Sequence, residues 1–180
     1  MRLPPISQPA SQTNKQLKDA KLANFLVING PNLNLIGSRE PDIYGEISYG
    51  VLEQELLAWG ANHGHQVTCR QSNAEHELID WIQASSHGGT SPQDGIAINA
   101  GGFTHTSVAL ADALAAVAVP YIEIHVSNTL AREAFRHHSF IAGKASGIIA
   151  GFGTQGYRFA LERLVYLADG TTEITKGKSA

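Results

Sequence analysis

The sequence predicts an α/β domain: a five-stranded parallel sheet covered by helices on both faces. Three observations predict it. Five short apolar runs recur along the chain, each bounded by glycine, proline or asparagine. Segments with helical apolar spacing separate the runs. The runs are mainly apolar, as in strands buried on both faces. A length of 180 residues suits one such domain.

The first run is NFLVIN, Asn24 to Asn29, stopped by Gly30-Pro31. A glycine- and proline-rich loop then extends to Glu46. Ser48 is placed to cap a helix with Leu52, Leu56 and Trp59 on one face. Gln66 to Arg70 reads as the second strand. Asn73 opens a second helix carrying Leu78, Ile79 and Ile82. GIAIN, Gly95 to Asn99, is the third strand. An almost wholly apolar helix is expected from Thr104 to Val119, ended by Pro120, which cannot continue it. YIEIHV, Tyr121 to Val126, is the fourth strand and Gly147 to Ala150 the fifth. A last helix is expected from Gln155 to Leu167. Right-handed crossovers make such an alternation doubly wound. At five strands the flavodoxin-like order 2-1-3-4-5 is the expected topology.

Residues 1–22 and 171–180 lack apolar periodicity and are expected to be a disordered extension and a loose tail around a domain at 23–170. Charged residues make up only 16% of the chain against 43% apolar. About a quarter is usual for the charged share, so much surface is expected to be buried, including between subunits. A net charge of −3 gives no basis for nucleic-acid binding. The single cysteine, Cys69, excludes an intrachain disulfide and a cysteine-based zinc site, and reads as a core residue. No apolar run nears the roughly 20 residues of a membrane helix, and no secretory signal core is present. A cytoplasmic enzyme or module is the resulting expectation.

Ligands of open α/β sheets bind beyond the carboxyl ends of the strands, so the residues after each strand carry the functional reading. They are Asn29 to Asn34, then Asn99 to Ser107, then Glu123 to Asn128, then Gly151-Phe152-Gly153. Asparagine and glycine are ordinary turn formers. Their convergence with His105 and His125 on one edge is what turns them into candidates. Strand alternation puts Glu123, His125 and Ser127 on one face. A carboxylate beside an imidazole fixes its tautomer and raises its basicity, which suits a proton donor. The loop SREPDIYG, 38–45, carries Arg39 and Tyr44, and a cation near a phenol lowers its pKa. A loop of this length flanked by glycines suits a lid. Asp112 is the lone charge of its apolar helix and needs a partner or a boundary. Arg132 and Arg136, four apart, are expected to share a helical face suited to a polyhydroxy or anionic ligand.

Other chemistries are disfavoured. No lysine lies between Lys21 and Lys144, so only Lys144 is left for a Schiff base inside the domain. His63-Gly64-His65 and His137-His138 lack neighbouring carboxylate or thiolate ligands, so no metal site is expected. No Walker sequence and no GxGxxG after the first strand is present.

Six blocks resemble the type II 3-dehydroquinate dehydratases, in the same order. They are NGPNLNLIGSREPDIYG (29–45), QSNAEHELIDWI (71–82), INAGGFTHTSVALADAL (98–114), IEIHVSN (122–128), REAFRHHSF (132–140) and GFGTQGY (151–157). The resemblance implies anti elimination of water from 3-dehydroquinate, through an enolate, to 3-dehydroshikimate. It implies the shikimate pathway or quinate breakdown, no metal or organic cofactor, and a dodecamer of trimers. By matching position, Tyr44 would be the base and Arg39 would lower its pKa. Asn32 would help hold the water that stabilises the enolate. His125, oriented by Glu123, would protonate the departing hydroxyl. Asn99, His105 and Arg136 would bind ring hydroxyls, and Val126 and Ser127 the carboxylate. Asp112 would come from a neighbouring subunit. Two departures are mild: Ala134 stands where many members carry an acid, and Val126 where isoleucine is common.

Two other classes are compatible with the fold. One is a flavin or phosphoacceptor signalling module, and a phosphoacceptor would need acids at strand ends and a lysine after the fifth strand. This chain has Asn99 and Gly151-Phe152-Gly153 there. A catalytically dead scaffold would have no need of Arg39, Tyr44, Glu123 and His125 together.

Overall fold

The structure, a computed structural model, describes residues 22–37 and 47–170. The two expected tails lie outside these residues, apart from Leu22, and so does the loop segment carrying Arg39 and Tyr44. The strands are β1 (Asn24–Asn29), β2 (Gln66–Gln71), β3 (Gly95–Asn99), β4 (Tyr121–His125) and β5 (Gly147–Ala150). All neighbours pair in parallel, in the order β2-β1-β3-β4-β5. The expected topology is therefore the observed one. Among the described residues, four α-helices cover the sheet: α1 (Tyr49–Asn62), α2 (Glu75–Ala84), α3 (Val108–Val117) and α4 (Gln155–Ala168).

Strand alternation divides the core into two layers. Phe25, Val27, Ala97, Ile122 and Ile124 face α1 and α4, meeting Leu52, Leu56, Tyr157, Leu161 and Leu164. Leu26, Ile28, Ile96 and Ile98 face α2 and α3, meeting Leu78, Ile82, Leu110 and Leu114. β3 and β4 are buried along their whole length, whereas the edge strands β2 and β5 are partly exposed. This is why central strands read as continuous apolar runs. Ile98→Ala, at a fully buried central position, is expected to cost about 2–5 kcal/mol of stability.

Three expectations about helices need correction. The Thr104–Val119 helix starts only at Val108. Ser107 caps it by accepting the Leu110 N–H at 2.8 Å, and Gly101–His105 forms a separate 3₁₀ turn. Asn73 does not open α2. Its side-chain oxygen accepts the Asn32 N–H at 2.9 Å, and Ser72 Oγ accepts the Ala74 N–H instead. Arg132 and Arg136 do not share a helix, because Arg132 is extended and a short 3₁₀ turn spans Ala134–His137. The first correction matters most for function, since it takes His105 out of a helix and places it in the loop at the strand ends.

Candidate active site

Register brings the site together. Asn29 lies opposite both Gln71 and Asn99, so three amide side chains line up where β2, β1 and β3 end. The loops after β1 and β3 are then pressed backbone against backbone. Gly30 N donates to the Asn99 carbonyl at 2.8 Å, and a Cβ on Gly30 would sit 2.3 Å from the Ala100 oxygen. Only glycine fits there. Asn32 follows in the left-handed conformation, with φ 67°, which asparagine tolerates better than most residues. At the other side, Gly151 N and Gly153 N donate to the carbonyls of His125 and Val126, tying the loop after β5 to the end of β4.

These loops enclose a cavity of about 240 Å³. Its wall includes Asn32, Asn99, His105, His125, Val126, Ser127 and Arg136, all expected from the sequence. Arg132 also lines it, so both arginines reach the pocket without a common helix. Arg136 Nε donates to Glu133 Oε2 at 2.8 Å, which holds the guanidinium at the rim. Asp112 is exposed on α3 and does not line this cavity. Arg39 and Tyr44 lie outside the described residues. Leu35 and Ile36 also line the cavity.

Glu123 sits behind His125 and is 0% exposed. Its Oε1 receives three donors: His125 Nε2 at 2.8 Å, Thr104 Oγ1 at 2.7 Å and Ser139 Oγ at 2.8 Å. Burial alone would push the Glu123 carboxyl up. The hydrogen bonds from His125, Thr104 and Ser139 outweigh it and hold the group below the usual carboxylate range. The Tyr121 phenol nearby is pushed up to about 12 by burial and by the Glu123 charge, and remains a neutral donor to the Ile141 carbonyl at 2.5 Å. An anionic Glu123 accepting from Nε2 leaves His125 Nδ1 as the ring nitrogen for a ligand. His105 is oriented separately: its Nδ1 donates to the His138 carbonyl at 2.7 Å, which leaves Nε2 for the pocket. The two imidazoles are near parallel, 6.2 Å apart.

A carboxyl lowered in the folded state stabilises above its unfolded pKa, about 4.3 for glutamate, and that stability is lost as pH falls through the folded value. The melting temperature of the protein should therefore exceed that of Glu123→Gln near neutral pH, and the gap should close in acid. Thermal unfolding across that range checks it; a gap independent of pH would contradict the ionised assignment.

The profile described as dehydroquinase class II matches residues 23–165. The chain belongs to the class II dehydroquinase family. It is 52% identical over 141 residues to the 3-dehydroquinate dehydratase of Stenotrophomonas maltophilia, covering 78% of this chain and 93% of that one. It is 54% identical over 145 residues to the enzyme of that name from a Janthinobacterium, with 78% and 98% covered. The type II dehydroquinase structure from Butyrivibrio crossotus is similar at a TM-score of 0.76 and 43% identity, covering 79% of this chain and 97% of that one. For this dehydroquinase-family chain, sequence reasoning passed over Ser139 and Tyr157 and gave Thr104 no role. Ser139 lies in a loop far from the strand ends in sequence. Tyr157 looks like one more buried aromatic of α4. The cue for Thr104 was present: a hydroxyl just after a strand, on the side of a buried carboxylate.

Proposed function

We propose that this chain is a 3-dehydroquinate dehydratase, a hydro-lyase of the shikimate pathway. It eliminates water from 3-dehydroquinate in the anti sense, through an enolate, to give 3-dehydroshikimate. The observation that carries this reading is the buried Glu123–His125 pair opening on a polar pocket, in a chain whose relatives are named for this activity. The proton removed is next to a ketone and weakly acidic, so the barrier falls when fixed donors meet the enolate oxygen. Tyr44 takes that proton as phenolate, with Arg39 lowering its pKa. Asn32 helps hold the water that meets the enolate. His125 protonates the departing hydroxyl and Glu123 stabilises the imidazolium that precedes transfer. Asn99, His105 and Arg136 bind ring hydroxyls; the Val126 and Ser127 backbone and the Ser127 hydroxyl hold the carboxylate. No metal or organic cofactor takes part. Among the described residues no helix is long and apolar enough to cross a membrane, and the proposed location is the cytoplasm.

The product is a conjugated enone carboxylate, so ultraviolet absorption follows the reaction directly. Growth of that absorbance on mixing enzyme and 3-dehydroquinate is the expected result; no growth would refute the function. An imine route is also testable. Lys144 is exposed and does not line the pocket. Borohydride added with substrate should leave activity intact, and mass gained at Lys144 with loss of activity would overturn the enolate route.

The proposed assembly is a dodecamer of trimers in which Asp112 serves a neighbour's site. What supports it is the outer face of α3. Val108, Ala109, Asp112, Ala115 and Ala116 are exposed there, with Val108 at 54%. The single chain thus leaves uncovered the outer side of a helix that is almost wholly apolar, and apolar surface of this kind marks a contact. Asp112→Ala should lower activity while the fold persists. Mixed with inactive Tyr44→Phe under subunit exchange, it should regain activity through sites combining Tyr44 with a neighbour's Asp112. No recovery despite exchange would put Asp112 in its own chain's service.

A further inference from the structure

Beneath Asn99 lies a hydrogen-bond chain that the reaction itself does not explain. Tyr157, on α4, is 0% exposed, and its ring packs in the layer under α1 and α4. Its hydroxyl donates to Asn29 Oδ1 at 2.5 Å and accepts from Asn99 Nδ2 at 3.0 Å. Asn99 Oδ1 in turn accepts the Gly101 N–H at 3.3 Å. Asn29 and Asn99 are both buried, while Asn99 also lines the pocket.

The direction of every bond in this chain follows from one group that has no choice. A backbone N–H only donates. Gly101 N–H therefore requires the oxygen of Asn99 on its side, which turns Nδ2 toward Tyr157. A phenol has one proton. With Asn99 donating to it, that proton must go elsewhere, and Asn29 presents its oxygen to receive it. Reversing the Asn99 amide would set Nδ2 against the Gly101 N–H and leave its oxygen facing a hydroxyl whose proton is already committed. Leaving such buried groups unpaired is costly.

We infer that Tyr157 is a positioning residue: its hydroxyl, relayed from Asn29, locks the Asn99 carboxamide in one of its two flip states and so fixes which atom of Asn99 meets the substrate. This rests on the proposed dehydratase reading for what the pocket binds. One N–H and one oxygen lone pair of Asn99 stay free of these protein bonds. A flipped amide would exchange donor for acceptor at the same place, which a site built around hydroxyls discriminates strongly.

The test is a double-mutant cycle on kcat/KM for 3-dehydroquinate. Tyr157→Phe keeps the ring and removes the hydroxyl. It should lower kcat/KM about tenfold, the scale of one mispaired buried hydrogen bond. Asn29→Ala removes the acceptor, so the tyrosine proton turns on Asn99; a similar loss is expected, and it carries the test if Tyr157→Phe does not fold. In an Asn99→Ala background both changes should have no further effect. Full, additive losses in that background, or a wild-type kcat/KM for both variants, would overturn the inference. A second readout needs no turnover. In an isotope-labelled sample the Asn99 carboxamide protons should exchange slowly in the wild type and faster in either variant. Unchanged exchange would overturn the inference as well. Asn99→Ala with undiminished kcat/KM would overturn the inference too, whereas an inactive wild type with the exchange pattern intact would count against the dehydratase reading alone.

Discussion

Tyr44→Phe should lower kcat by about 10²–10⁴-fold, the range for a lost acid–base group, and leave substrate binding largely intact. The expectation rests on the role proposed for Tyr44 from the match of residues 29–45 to the family's motif, and the described pocket wall offers few rivals. Its titratable side chains are His105, His125, Arg132 and Arg136. No carboxylate, tyrosine or lysine is among them. Arginine does not act as a base at neutral pH. His105 and His125 each have one ring nitrogen tied to the protein, at the His138 carbonyl and at Glu123. Tyr44, with Arg39 five residues before it in the chain, is the proposed base, since a phenolate at neutral pH needs a nearby cation. Phenylalanine keeps the ring and removes only the ionisable oxygen. A variant retaining more than a tenth of the wild-type kcat would remove Tyr44 from the role.

His125→Ala should abolish turnover at saturating substrate, again by about 10²–10⁴-fold. Hydroxide is a poor leaving group, so the elimination stalls unless the departing oxygen is protonated. His125 is buried at the pocket wall, and its Nε2 is anchored 2.8 Å from Glu123. That carboxylate is held ionised by Thr104 and Ser139 as well, which keeps its charge available to the imidazolium. Loss of the imidazole therefore removes a step made in the transition state, and kcat and kcat/KM should fall together. A rise in KM with kcat unchanged would make His125 a binding group.

The sheet was legible from the chain because β1, β3 and β4 are buried on both faces, and such strands are largely apolar. The functional edge was legible for a related reason. Strand ends carry their polar residues where the apolar run stops, so Asn29, Asn99 and His125 announce themselves. Helix starts were less legible. Thr104, His105 and Thr106 continue an apolar-rich stretch, and only the capping geometry of Ser107 and the turn at Gly101 separate them from α3. Asn73 is a good cap by type, yet its side chain supports the Asn32 backbone on a neighbouring loop. That choice depends on tertiary proximity, which local sequence does not encode. The same holds for Ser139 and Tyr157, which reach Glu123 and Asn99 across 16 and 58 residues of chain.

One measurement bears most directly on the proposed chemistry. In 3-dehydroquinate the carbon next to the ketone, beside the carbinol carbon, carries two hydrogens on opposite faces of the ring. Substrate labelled with deuterium at one face only is converted by the enzyme, and the product is weighed by mass spectrometry. With His125 protonating the hydroxyl from one side and Tyr44 taking the proton from the other, the deuterium opposite the departing hydroxyl is lost and the one on its own side is retained. Loss of the deuterium on the hydroxyl's own side would mean syn elimination, and would contradict a base and an acid acting from opposite faces.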